Sequence, residues 1–224
     1  MVHLPGAVIL TRTLQLALLA GAALLSAETI DRIAVSVGNR VITTSDVDRQ
    51  VRVSAFLSGV RPDLTPEGKR KAAESMVDQK LVARELETAH YPAPADSELD
   101  AAFAEFKAKY FASDAAYRGA LAEYGITEDE VKQQLLWQRQ FLGFVAGRFR
   151  PAVQVTDREV RDYFETKVLP AARAANPGAT FTVDEFRDPI ITKLTEERVD
   201  QQIALWLAEV RKRTEVVFHE EAFR

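Results

Sequence analysis

The order of its periodicities constrains this chain more than any single motif: a short alternation, a long stretch of helical spacing, then alternation again. Ile33, Val35 and Val37 alternate with Ala34 and Ser36, Gly38-Asn39 supplies turn chemistry and Val41-Ile42 restarts the strand. Residues 30–42 therefore read as a β-hairpin. The character then changes to helix and stays so until Glu215 to Phe218, which reads as a terminal strand. A lone two-stranded hairpin is marginal in water. The terminal strand is accordingly expected to pair with Ile33–Val37 as a third strand and bring the two ends of the sheet together. The fold class is mainly α, a multi-helix core with a small N-terminal hairpin joined by a C-terminal strand.

Capping residues and breakers divide the helical stretch. Thr44 or Ser45 is expected to cap a first helix running to about Leu57, and Gly59 to Leu64 is a loop. Thr65-Pro66-Glu67 opens a second helix, with proline at the first helical position, ending near His90 before Tyr91-Pro92-Ala93-Pro94. A third helix starts at Asp96-Ser97 and carries Leu99, Phe103, Phe106 and Tyr110 on one tight stripe. A shorter one runs to Tyr124 and stops at Gly125. Thr127 with Glu130, Thr156 with Glu159, and Thr182 with Glu185 have the spacing of capping boxes for three more. The segment 166–180, with Asn176-Pro177-Gly178, reads as a linker, and the last helix runs to about Arg213.

Two helices carry more than an ordinary apolar face. On a wheel, Val131, Leu135, Leu142, Val145 and Phe149 form one core face. Trp137, Phe141 and Phe144 form a second stripe roughly a quarter-turn away. Together they make the helix apolar over more surface than one partner usually covers. Either neighbours bury it from two sides, or the aromatic stripe lines a groove for apolar segments of another chain. In the last helix, Val183, Phe186, Ile190 and Leu194 share one face, whereas Val199, Ile203, Trp206, Leu207 and Val210 share nearly the opposite one. A switch near Thr195 to Arg198 implies two packing partners in succession, or a bend, and Pro189 adds an irregularity.

The N-terminus has a cationic Arg12, a short apolar run from Leu14 to Leu25, and Ser26-Ala27, the pattern of a secretory signal peptide. Leu25 departs from the small-x-small rule at the cut. The alternative, a membrane anchor, needs roughly 20 apolar residues, more than this run supplies. Residues 1–27 are thus expected to be removed on export from the cytoplasm, with no later segment spanning a membrane. The chain has no cysteine, so neither disulfides nor thiolate chemistry is available to it. A net charge of −4 with interspersed basic residues argues against nucleic acid as a partner.

Catalytic chemistry is not specified. His90 and His219 stand apart without ligand spacing, and the sequence contains no HExxH, phosphate-cradling glycine loop or GxSxG. Glu128-Asp129-Glu130 and Glu196-Glu197 read as solvated or first-turn acids, and Lys69-Arg70-Lys71 and Arg211-Lys212-Arg213 are too short to indicate nucleic acid. No cofactor, metal or catalytic residue is expected.

The stretch Ile30-Asp31-Arg32-Ile33-Ala34-Val35-Ser36-Val37-Gly38-Asn39-Arg40-Val41-Ile42-Thr43-Thr44-Ser45-Asp46-Val47 resembles the opening of the SurA-type chaperones. Val77 to Val82, Tyr117 with Ala120-Leu121 and Gly125-Ile126-Thr127, Val153 to Phe164, and Trp206 to Arg211 are similar to further family motifs in the same order. In the family, the motif resembled by Val153 to Phe164 leads into a parvulin prolyl isomerase domain. Here only sixteen residues separate Phe164 from Phe181, too few for such a domain, and they contain neither its Gly-Gly-Asp-Leu-Gly-like motif nor its histidines. The resemblance implies a periplasmic helical chaperone core that binds unfolded, aromatic-rich chains such as outer-membrane proteins, without isomerase activity.

The expected organisation is a signal peptide over 1–27, a SurA N-terminal-like helical domain over 28–165, a linker over 166–180 where a parvulin domain would stand, and a C-terminal helix and strand over 181–224. The leading expectation is a holdase for unfolded or extended polypeptides, with Trp137, Phe141 and Phe144 as client-binding residues and Phe56 and Leu57, at the end of the first helix, as further candidates. A dedicated subunit that binds one folded partner or a second copy of itself is the alternative. A divergent prolyl isomerase is the third.

Overall fold

A computed structural model describes residues 31–224, so the expected signal peptide lies outside the described residues. β1 (Ile33–Val37) and β2 (Arg40–Thr43) form the hairpin. Gly38, with φ of 57°, provides the left-handed turn residue that a β-carbon would strain. β3 (Val216–Phe218) pairs antiparallel with β1, giving the sheet order β2-β1-β3 with Val35 opposite both Ile42 and Phe218. The expected third strand is therefore present. The sheet is extended by backbone bonds from Gly38 N–H to the Glu215 carbonyl (2.8 Å) and from His219 N–H to the Ala34 carbonyl (2.9 Å).

The rest of the described chain is helical: α1 (Thr44–Ser58), α2 (Pro66–Thr88), α3 (Asp96–Tyr110), α4 (Asp114–Tyr124), α5 (Glu128–Arg148), α6 (Asp157–Tyr163), α7 (Leu169–Ala175) and α8 (Val183–Lys212). The cap of α1 falls one residue earlier than either expected position. Thr43 Oγ1 accepts from Asp46 N–H (3.2 Å) while an Asp46 carboxylate oxygen accepts from Thr43 N–H (3.1 Å), a reciprocal box that neither Thr44 nor Ser45 forms at this helix start. Thr127 with Glu130 and Thr156 with Glu159 form the boxes expected of them, and Glu185 accepts from Thr182 N–H (3.1 Å). Gly125, with φ of 63°, ends α4 with its N–H bonded to the carbonyls of Leu121 and Ala122, as a left-handed C-terminal residue does.

The linker expected over 166–180 is mostly helix. A π turn (Phe164–Val168) runs straight into α7, and the chain turns only at 176–178. The sequence of α7, LPAARAA, explains this: alanine and arginine are strong helix formers, and Pro170 falls directly after the π turn, where the backbone bonding pattern changes. Val168 and Leu169 pack on a small cluster centred on Val160, Phe164 and Ile190.

Among the described residues, apolar side chains gather in four clusters. The first joins the sheet to α1 and α2 (Ala34, Val35, Ile42, Val47, Val77, Leu81) and is closed by Phe223 from the turn after β3. The second is aromatic, between α1, α3, α4 and the start of α5 (Phe56, Phe103, Tyr117, Val131). The third holds Val82, Phe144, Phe149 and Val199, and the fourth is the α6–α8 cluster. α8 behaves as its two faces imply: Val183, Phe186, Ile190 and Leu194 belong to the fourth cluster, Val199, Ile203 and Trp206 to the third, and Val210 to the first. At the switch, Arg198 bonds Glu159 and the Gln154 carbonyl, tying the cap of α6 to the middle of α8.

Candidate binding clefts

The aromatic stripe of α5 divides in two. Phe144 is only 1% exposed, with rings of Tyr91, Phe149 and Trp206 at 5.3–5.5 Å. It is a core residue and offers no surface to a client. Trp137 and Phe141 are half-buried on the margin of the same cluster and stack on each other at 6.0 Å and 29°. Leu142, placed by periodicity on the core face, is instead 62% exposed. The reason is a rotation of the buried direction along α5. Its first half packs Val131 and Leu135 into the second cluster, and its second half turns Phe144 and Phe149 into the third. A single wheel assumes one partner throughout. Leu142 stands beside Pro94 and Tyr91 on the rim of a groove between α5 and the proline loop.

Phe56 and Leu57 lie at a different place. Phe56 is buried and belongs to the core, but it forms the floor of an open aromatic cleft of about 480 Å³, lined also by Leu57, Phe106, Tyr110, Phe111 and Tyr124. Phe56 stacks on Phe111 (5.6 Å, 16°) and meets Tyr124 edge-on at 5.4 Å, geometries that aromatic quadrupoles favour. Phe106 is tilted against Phe56 and Tyr110 at 6.0 and 5.3 Å. Leu57, Phe106, Phe111 and Tyr124 are half-buried, and Tyr110 is 58% exposed. The Tyr124 hydroxyl donates to the Val60 carbonyl (3.0 Å), and Val60 is itself exposed, which extends the apolar margin. Beneath lies Tyr117, fully buried with its hydroxyl unpartnered. Burial first, then the charges of Glu128 and Asp114, push its pKa up to about 12, so it stays neutral. Phe106 and Tyr110 were visible in the sequence as a helical stripe, but their convergence with Phe56 and Phe111 is tertiary. The available signal was a surplus of aromatic residues over 103–111, more than one face can bury.

Trp137 contributes to a third, polar recess of about 250 Å³ between α1, α2 and α5, lined by Gln50, Gln79, Gln133, Gln134, Lys80 and Met76 among others. Arg49 closes one side, paired with Asp46 (2.9 Å) and Glu130 (2.7 Å). Periodicity could not have revealed this recess, because its residues come from polar faces of three separate helices.

The two histidines among the described residues each have a partner. His219 Nε2 lies 3.1 Å from Ser36 Oγ, and His90, with φ of 53°, ends α2 with Nδ1 3.1 Å from the Thr88 carbonyl. Among the described residues no group of histidine and carboxylate side chains could hold a metal, and no helix is long and apolar enough to cross a membrane. No protein-family model matches the chain, and no curated protein matches it.

Proposed function

We propose that the protein is a holdase-type chaperone of the periplasm, a SurA-like helical core that binds unfolded, aromatic-rich chains such as outer-membrane proteins without catalysing their isomerisation. The observation that carries this reading is the aromatic cleft. Six large apolar side chains, from α1, α3, the residue that follows α3, and α4, converge there, and Tyr110 leaves most of its surface in water. A groove of rings accepts side chains of many shapes through offset and edge contacts, which suits a binder of varied clients. Affinity should be modest, since a mobile client loses conformational freedom when held. The client-binding residues are then Tyr110, Leu57, Phe106, Phe111 and Tyr124, with Trp137 and Phe141 as a second margin.

The test is aggregation of an unfolded outer-membrane protein with and without the purified protein. Suppression at near-stoichiometric amounts is the expected result. A folded protein that suppresses nothing would sink the reading.

One observation favours a dedicated partner-binding subunit instead. Val41 and Val217, cross-strand neighbours of Ser36, are 47% and 42% exposed on the sheet. A stable dimer at nanomolar concentration that buries Val41 and Val217 would favour that alternative.

A further inference from the structure

We infer that the recess between α1, α2 and α5 binds an extended polypeptide through its main chain, by amide side chains set on opposing walls. This rests on the holdase reading and gives it a second, chemically different contact surface.

Glutamine amides lining a recess open to solvent bond water when it is empty and can exchange that water for the polar groups of a ligand. Each primary amide offers one acceptor and two donors. Gln50 spends one donor on Ser54 (3.0 Å). Gln79, Gln133 and Gln134 hydrogen-bond no protein group among the described residues. They come from two helices, Gln79 from α2 and Gln133 and Gln134 from α5, while Gln50 faces them from α1. In an extended chain the N–H and C=O groups point alternately to its two sides. A strand lying in the recess therefore meets amides on both flanks, each able to donate to a carbonyl or accept from an N–H.

The remaining lining supports the same occupant. Arg49 pairs with Asp46 and Glu130, and with Lys80 counted the charged lining balances, so it does not impose a sign on the ligand. Met76 and half-buried Trp137 give a side chain an adaptable apolar contact. A saccharide is the other ligand that amides and an indole commonly suit. Against it, one face of Trp137 is already covered by Phe141. Main-chain recognition reads no sequence, because every polypeptide carries the same repeating groups, and that is what a binder of many clients requires. The aromatic cleft would supply side-chain preference and this recess indifference.

The test measures fluorescence anisotropy of three labelled peptides of unrelated sequence, each rich in tyrosine or phenylalanine, and of one of them N-methylated on alternate peptide nitrogens. The proteins are wild type, Gln79→Ala/Gln134→Ala and Tyr110→Ala. We expect the double glutamine variant to weaken all three peptides by a similar factor, about tenfold for two lost hydrogen bonds. The N-methylated peptide should also bind wild type more weakly than its parent, and lose less than the parent does in the glutamine variant. Peptides that bind wild type and the glutamine variant equally, yet are lost by Tyr110→Ala, would overturn the inference and leave the holdase reading standing. Wild type that binds none of the peptides would overturn both. Binding of chitotetraose or maltotetraose lost in the glutamine variant, with peptide binding unchanged, would also overturn it. The N-methylated arm needs no substitution, so a variant that failed to fold would not leave the question open.

Discussion

The cluster under the sheet and the cluster around Phe56 are both apolar, yet one is sealed and the other open. Beneath the sheet, small and β-branched side chains from β1, β2, α1 and α2 leave Ala34, Val35, Ile42, Ala73 and Val77 with no exposure at all. Around Phe56, a few rings are buried while Leu57, Phe106, Phe111 and Tyr124 remain half in water. Shape accounts for the difference. Valine and alanine interdigitate at close spacing and leave no room between layers. Rings meet at angles from 16° to 81° around Phe56 and leave wedge-shaped openings at their margins. The aliphatic cluster holds the fold together, and the aromatic one keeps apolar surface available.

That contrast can be broken in several ways, beginning with the most drastic. Val35→Asp puts a carboxylate where nothing can hydrate it. It should abolish the folded state, read as loss of the cooperative melting transition by circular dichroism. A folded Val35→Asp protein would mean the sheet cluster is not sealed. Phe144→Ala leaves a cavity in the third cluster and should cost about 3–5 kcal/mol in urea unfolding. If it costs as little as an exposed residue, α5 is not anchored where its rings meet Trp206. Tyr110→Ala with Leu57→Ala should change stability little, within about 0.5 kcal/mol for each exposed or rim position. The same pair should reduce suppression of client aggregation several-fold. The opposite pattern, lost stability with intact protection, would make the aromatic cleft core and place the client elsewhere.

The smallest effect belongs to neither cluster. Glu159 accepts bonds from Thr156 N–H (2.8 Å) and Oγ1 (2.7 Å) and pairs with Arg198. Those contacts, the Thr156 bonds foremost, lower its pKa from 4.5 to about 2. A carboxylate depressed in the folded state contributes stability above its unfolded pKa and loses it as pH falls through the folded one. Wild type should therefore lose a small increment between pH 4.5 and about 2 that Glu159→Gln lacks, measured as the difference in urea midpoint across that window. Because Glu159 faces solvent, solvent screening keeps the increment small. Equal pH slopes in the two proteins would refute the cap-to-α8 tie as a stabilising contact.

Local chemistry made much of the fold legible. The hairpin followed from Gly38-Asn39 between alternating strands, the third strand from the marginality of a hairpin alone, and the two partners of α8 from its two faces. Tertiary context hid the rest. Thr43 out-competes Thr44 because Asp46 is three residues beyond it and can return its bond. The stretch 166–175 looked like a linker because Asn176-Pro177-Gly178 dominated the reading of a segment that is rich in alanine. Of the expected site, Trp137, Phe141 and Leu57 lie at surface margins while Phe144 and Phe56 are core. Rotation of the buried side of α5 depends on which helix it meets at each end, and no periodicity within α5 encodes that.

The pairing of β3 with β1 has a consequence in time. Ser36 and His219, which meet across the sheet, are 183 positions apart. Synthesis delivers a chain from one end to the other, so β1 emerges long before its partner. Until residues 216–223 arrive, one edge of β1 is open and the slot filled by Phe223 in the sheet cluster is vacant. A contact between such distant residues must also await closure of a very long loop. The sheet therefore reports completion: a chain stopped at residue 214 can form helices, but it cannot close its best-buried cluster.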